Sequence, residues 1–348
     1  MNTTVALLLT QDGLTNGLIY ALLALAILLV FLVTRVLWVP AGDFVVSSAL
    51  TMGLLGLGRT PGSIWLLLIL GVAAFVSHAW RSARMREWRS VWIAAAVYIG
   101  YPILMSALVP LMVAAKLSVI LRALVTLLLV APMGPMIYTA VFRPLEGSSV
   151  LIKLIAAVAL DMVLIGAQLF VFGAEGLRSA PLVKGRIDIG FTSVSMQLLL
   201  VLLVSVTLMF VLGYFFSRTL WGKALRAIAM NARGARFVGI RTDSAGLLAF
   251  GIAGAVGALT GILIGPIATV YYDSGFAISL KGFIGVVFAG MLSFPGSVLA
   301  SLAVGLFDSF AGFFNSSLRD VLVFALLIPM LMWRSLGAPK HEGNEEQW

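Results

Sequence analysis

The chain has 348 residues, 61% of them hydrophobic and only 11% charged, with a mean hydropathy of +1.10. A water-soluble domain carries roughly 25% charged residues, so this composition excludes a soluble enzyme or binding module and makes lipid the expected solvent. The net charge of +9 sits in short clusters between apolar runs, which anchors a membrane protein, and not in a basic stripe with interleaved aromatics that would bind nucleic acid. The absence of cysteine excludes disulfides and thiol chemistry, and two histidines, His78 and His341, are too few and too distant to suggest a metal site.

A bilayer core takes about 20 apolar residues per helix. In chain order the apolar runs are 14–34, 43–57, 63–80, 91–115, 117–141, 150–172, 194–216, 243–264, 280–293, 296–314 and 319–333. They predict an all-α, polytopic bundle of about nine to eleven spans, organised as one membrane domain over 1–348. The runs 43–57 and 280–293 are short and are read as half-helices or re-entrant segments. The first ten residues lack a basic n-region and a small-residue cleavage site, so no cleaved signal peptide is expected. With the N-terminus outside, Arg35, Arg81, Arg84, Arg86, Arg89, Arg143, Lys153, Arg218, Lys223, Arg226, Arg233, Arg236, Arg241, Arg334 and Lys340 all fall inside. That is 15 of 23 Lys and Arg, which by the positive-inside rule predicts an N-out, C-in protein with a cytoplasmic tail over 335–348.

Two connections are long. The outer one, 173–193, reads GAEGLRSAPLVKGRIDIGFTS and is expected to be a lid or a partner-facing loop. The inner one, 217–242, carries TLWGKALRAIAMNARGARFVGIRTD from Thr219 to Asp243. Ala224, Leu225, Ala227, Ile228 and Ala229 favour helix, Arg226 and Asn231 fall on its polar side, and Gly234 starts a second basic turn. A basic amphipathic helix–turn between two spans either rests on anionic lipid heads or receives a cytoplasmic partner.

The order Gly222, Lys223, Arg226, Ala227, Asn231, Ala235, Gly239, Ile240 resembles the cytoplasmic coupling loop of ABC importer permeases, in the manner of the LivH-like branched-chain (hydrophobic) amino acid family. The likeness continues in NGLIYALLALAILLVF, in Phe142-Arg143-Pro144-Leu145, in AGLLAFGIAGAVGALTGILIGP, in the Lys281 segment, in SFPGSVLASLAVGLF and in DVLVFALLIPML. The sequence departs from the family after the first span. There Trp38-Val39-Pro40-Ala41-Gly42-Asp43 keeps a glycine and an acid but lacks the family's Asn and His or Gln. The resemblance implies a permease subunit that binds no cofactor itself. It also implies a second related permease subunit, two cytoplasmic ATPase subunits that hold ATP and magnesium, an extracytoplasmic substrate-binding protein and a plasma-membrane location.

Within the spans, Gly257, Gly261 and Gly265 form a small-xxx-small ridge for close helix approach. Gly42, Asp43, Asp161, Lys281 and Asp308 are candidates for pathway lining or helix packing, since charge at depth costs on the order of 3 kcal/mol without a partner or water. Arg122 is expected to snorkel to the outer interface. Gly222-Lys223 is not followed by Ser or Thr and lacks the upstream glycine, so it is no phosphate loop, and no nucleophile–base–acid set is visible. The other open reading is an ion-coupled secondary transporter with Asp161 and Asp308 as its site.

Overall fold

Helix α1, Thr3–Thr34, has no polar face over most of its length, and such a helix is stable only when other helices surround it. Residues 18–30 are accordingly all buried. The computed structural model describes residues 3–85, 88–115, 117–188, 193–291, 293–329 and 332. Around α1 stand α2 (Ala41–Gly56), α12 (Thr242–Ile264), α13 (Ser274–Phe288) and α14 (Phe294–Phe314).

Small residues set these approaches. A Cβ on Gly13 would lie 2.8 Å from Leu306 Cα and one on Gly17 2.8 Å from Leu302 Cα, so α1 and α14 pack backbone to backbone. Gly42 of α2 meets the backbone oxygen of Gly275 in α13 more closely still. The ridge of α12 lies on α2: a Cβ on Gly257 would reach Phe44 Cβ at 2.8 Å, Gly261 faces the Val45 carbonyl, and Ser48 Oγ donates to Ala258 O at 2.5 Å. Gly265 ends the ridge differently, against Ser179 of the long outer connection.

The outer helices are α3 (Ser63–Met85), α4 (Trp88–Ala95) and α5 (Tyr101–Ala114) joined by a π turn, α8 (Val150–Phe172) and α9 (Met196–Arg218). They leave Trp65, Trp92, Phe170 and Phe210 more than 60% exposed, the kind of apolar surface that lipid covers. Helices α6 (Val119–Val130) and α7 (Met133–Ile137) run into a second π turn at Tyr138–Phe142. Between α9 and α12 come α10 (Leu220–Met230) and α11 (Ala232–Phe237), and α15 (Arg319–Ala325) follows α14.

Among the described residues eight helices are long and apolar enough to cross a bilayer, and Ala41–Gly56 and Ser274–Phe288 are shorter apolar helices, as their run lengths predict, whereas in the predicted run 319–333 helix α15 covers only Arg319–Ala325. Three details differ. Helix α1 starts at Thr3 instead of 14, because Gly13 and Gly17 continue the contact with α14. Helix α13 starts at Ser274 instead of 280, because Gly275 is held against α2. The outer connection contains a small antiparallel hairpin, β1 (Arg186–Asp188) with β2 (Ser193–Ser195). Arg86, Arg334, Lys340, His341 and the 335–348 tail lie outside the described residues.

Candidate functional site

The 217–242 connection folds as two capped helices. Thr219 Oγ1 accepts from Gly222 N at 3.0 Å to cap α10, and Asn231 Oδ1 accepts from Gly234 N at 2.8 Å to cap α11. Leu225, Ile228 and Ala235 are buried against Leu29, Phe216, Ala245 and Ala249, so one face of the pair is fixed on the bundle. Gly222 abuts the backbone of Phe215 and Phe216, and Gly239 ends the segment at φ +84°, a left-handed conformation that favours glycine. Ala227 is half-buried. The opposite face exposes Lys223 and Arg226 together with Leu220, Trp221, Met230, Phe237 and Val238.

The segment is tied to the spans at several points that sequence reading did not single out as contacts. Arg236 pairs with Glu146 at 2.7 Å, Arg143 with Asp243 at 2.5 Å, and Arg35 donates to Ala229 O at 3.3 Å. Lys153 Nζ donates to Thr34 O at 3.1 Å, and Arg143 also lies 3.5 Å from His78 Nδ1. One end of the bundle thus gathers Arg35, Arg143, Lys153 and Arg236 around α10–α11. The Phe-Arg-Pro-Leu motif was the available signal for Arg143; nothing local marked Glu146 as the partner of Arg236.

The predicted carboxylates separate into two unlike sites. Asp308, fully buried on α14, accepts from Tyr20 Oη at 2.7 Å, Lys281 Nζ at 3.0 Å, and Arg319 Nε and Nη2 at 2.8 and 2.5 Å. Lys281 also pairs with Asp320 at 2.8 Å. Every carboxylate oxygen has charged donors, and the cluster staples α1, α13, α14 and α15 together. Asp43 and Asp161 have no such cations among the described residues. They are 1% and 3% exposed and lie within hydrogen-bonding reach of each other, on α2 and at the middle residue of α8. Gln168 Nε2 donates to Asp43 O at 3.2 Å and to Oδ1 at 3.3 Å. Asp43 Oδ2, Asp161 Oδ1 and Gln168 Oε1 are buried and meet no donor among the described residues. Arg122 is half-buried, with its guanidinium near Gly56 at the far end of α2. Among the described residues no group of three metal-ligating side chains comes together.

A bundle of bilayer-length helices with buried ion clusters and a capped, amphipathic segment between two spans defines a multi-pass membrane transport component. A family model described as the branched-chain amino acid transport system / permease component matches residues 9–331, and the chain belongs to that family. The high-affinity branched-chain amino acid transport system permease protein BraD of Pseudomonas aeruginosa is 29% identical over 236 residues, covering 66% of this chain and 75% of BraD. The corresponding permease protein LivH of Escherichia coli K12 is 30% identical over 201 residues, covering 55% of this chain and 64% of LivH. A solved structure, PsaBC from Streptococcus pneumoniae in complex with Fab, aligns over 92% of this chain and 89% of that chain at 14% identity, with a TM-score of 0.35, too low to carry an argument.

Proposed function

We propose that this chain is the membrane-spanning permease subunit of an ABC importer, forming the pathway for a branched-chain or other hydrophobic amino acid. The observation that carries the reading is the α10–α11 segment, packed on the bundle by one face and presenting an apolar, basic face on the other. Five large apolar side chains left uncovered at the mouth of a membrane bundle are a docking surface for a protein. An ATPase subunit that binds there passes its motion to α9 and α12 directly, and through Arg236–Glu146 and Arg143–Asp243 to the end of the π turn at Tyr138–Phe142. ATP and magnesium belong to two such subunits, and hydrolysis is theirs. A second, related permease chain completes the pathway, and an extracytoplasmic binding protein delivers solute to the 173–193 side. The gathering of basic residues around α10–α11 supports a cytoplasmic position for that end in an inner membrane, hence N-out and C-in.

The test is co-expression with the neighbouring genes, followed by purification and ATPase and uptake assays on wild type and on Arg226→Glu combined with Gly239→Trp. The expected result is copurification of an ATPase subunit with the wild type, and loss of that subunit or uncoupled hydrolysis in the variant. A chain that binds no ATPase and moves solute alone down an ion gradient overturns the reading.

A further inference from the structure

The middle of the bundle holds buried acceptors that no donor among the described residues satisfies. Asp43 and Asp161 lie within hydrogen-bonding reach of each other with no cation paired to either among the described residues, while Asp308 in the same protein draws on a lysine, an arginine and a tyrosine. Two ionised carboxyls in contact at low dielectric repel each other, so the pair is stable only with a positive charge or a proton between them. Gln168 is fully buried with its amide on Asp43, and its Oε1 adds a third acceptor without a donor. An N–H-bearing cation would meet all three groups at once.

An apolar hollow of about 210 Å³ is lined by residues 37–39 just before α2, by α8 and by α13. Its wall includes Trp38, Leu154, Val158, Phe276, Leu280 and Phe283. Leu154, Val158, Asp161 and Gln168 fall at spacings of four, three and seven on α8, which places them in one stripe of that helix. The segment that supplies Trp38 runs on into Asp43. Phe276 follows Gly275, where an added Cβ would be 2.9 Å from Asp43 Oδ1. By volume the hollow holds about seven waters at ~30 Å³ each, enough for a branched side chain of four carbons. The indole N–H of Trp38 is buried and meets no acceptor among the described residues, a donor of the polarity that a carboxylate needs.

We propose that Asp43, Asp161 and Gln168 receive the α-ammonium group of an amino acid in transit, and that the adjoining hollow receives its aliphatic side chain. The proposal rests on the permease reading above and adds to it a recognition point inside the membrane, separate from any selection by a binding protein.

The experiment uses the complete assembly reconstituted in proteoliposomes, with radiolabelled leucine uptake and ATP hydrolysis measured in parallel. Asp161→Asn and Asp43→Asn keep the shape of a protonated carboxyl but cannot hold a negative charge. The expected result is a fall in leucine uptake of about tenfold or more, the scale of a lost charge-assisted hydrogen bond, with assembly yield and ATP hydrolysis kept. Uptake equal to wild type in both variants overturns the proposal and leaves the pair as a shared-proton contact of structural use only. Should the Asn variants fail to assemble, Val158→Trp decides the matter. A shift in preference from leucine toward alanine supports the site, and an unchanged preference removes it. A wild-type assembly that couples ATP hydrolysis to uptake of some other solute, with no amino acid uptake, defeats the substrate reading instead, and the proposal falls with it.

Discussion

Aspartates buried in membrane helices share a desolvation cost but not a fate. Asp308 receives four donations, two of them from one guanidinium, so its charge is neutralised in place. Removing one partner of such a cluster strands the others, and broken buried pairs cost about 3–5 kcal/mol. Asp308→Ala is therefore expected to lower the thermal unfolding midpoint of the purified chain in detergent and to reduce its yield. Asp308→Asn, which keeps an acceptor for Tyr20 or Arg319, is expected to do so less. Equal midpoints for wild type and Asp308→Ala would show that the cluster does not hold α1, α13 and α14 together.

Among the elements, the closest helix pairs are those where glycine removes the side chain from the contact. On α12, Gly261 sits against the Val45 carbonyl and Gly257 against Phe44, a spacing that permits dense packing where the hydrophobic effect between helices is absent. Gly166 on α8 and Gly213 on α9 have open space where a Cβ would go. The expected outcome is opposite at the two kinds of position. Gly261→Ala forces α2 and α12 apart and destabilises the bundle by overpacking, on the order of 1–3 kcal/mol. Gly166→Ala and Gly213→Ala are neutral, or stabilising by up to ~1 kcal/mol, through helix propensity and unfolded-state entropy. Denaturation of the three variants side by side checks the contrast; a neutral Gly261→Ala would contradict the close approach.

At the scale of the molecule, the α10–α11 end and the β1–β2 connection define the two faces that the proposed topology assigns to opposite sides of the membrane. The chain contains no cysteine, so single cysteines report sidedness without background. Met230→Cys, at an 88% exposed position on α10, is expected to react with a membrane-impermeant maleimide only after the inner face is opened. Lys184→Cys, in the exposed outer connection, is expected to react in intact cells. The reverse pattern would invert the topology and remove the α10–α11 segment from reach of a cytoplasmic ATPase.

The sequence alone determined the solvent, the helical class, the family and the α10–α11 segment, because these rest on composition, run length and an ordered local motif. The segment's helix-favouring run at 224–229 and the turn at Gly234 are local signals, whereas the caps at Thr219 and Asn231 emerged from the structure. The sequence also exposed the Gly257–Gly261 ridge as a packing surface, since the spacing of small residues is local information. It did not say which helix the ridge meets, and only the tertiary structure places α2 there. Nor did it show that α13 begins six residues early, because what holds Ser274 and Gly275 in a helix is the backbone of Gly42, more than 230 positions away. Most of all, Asp161 and Asp308 looked alike in sequence, each a lone acid in an apolar run. What separates them is the identity of distant neighbours: Lys281, Arg319 and Tyr20 converge on Asp308, whereas Asp161 meets another acid. Buried charge is settled by partners that packing brings together, and that information is in the fold and not in the run.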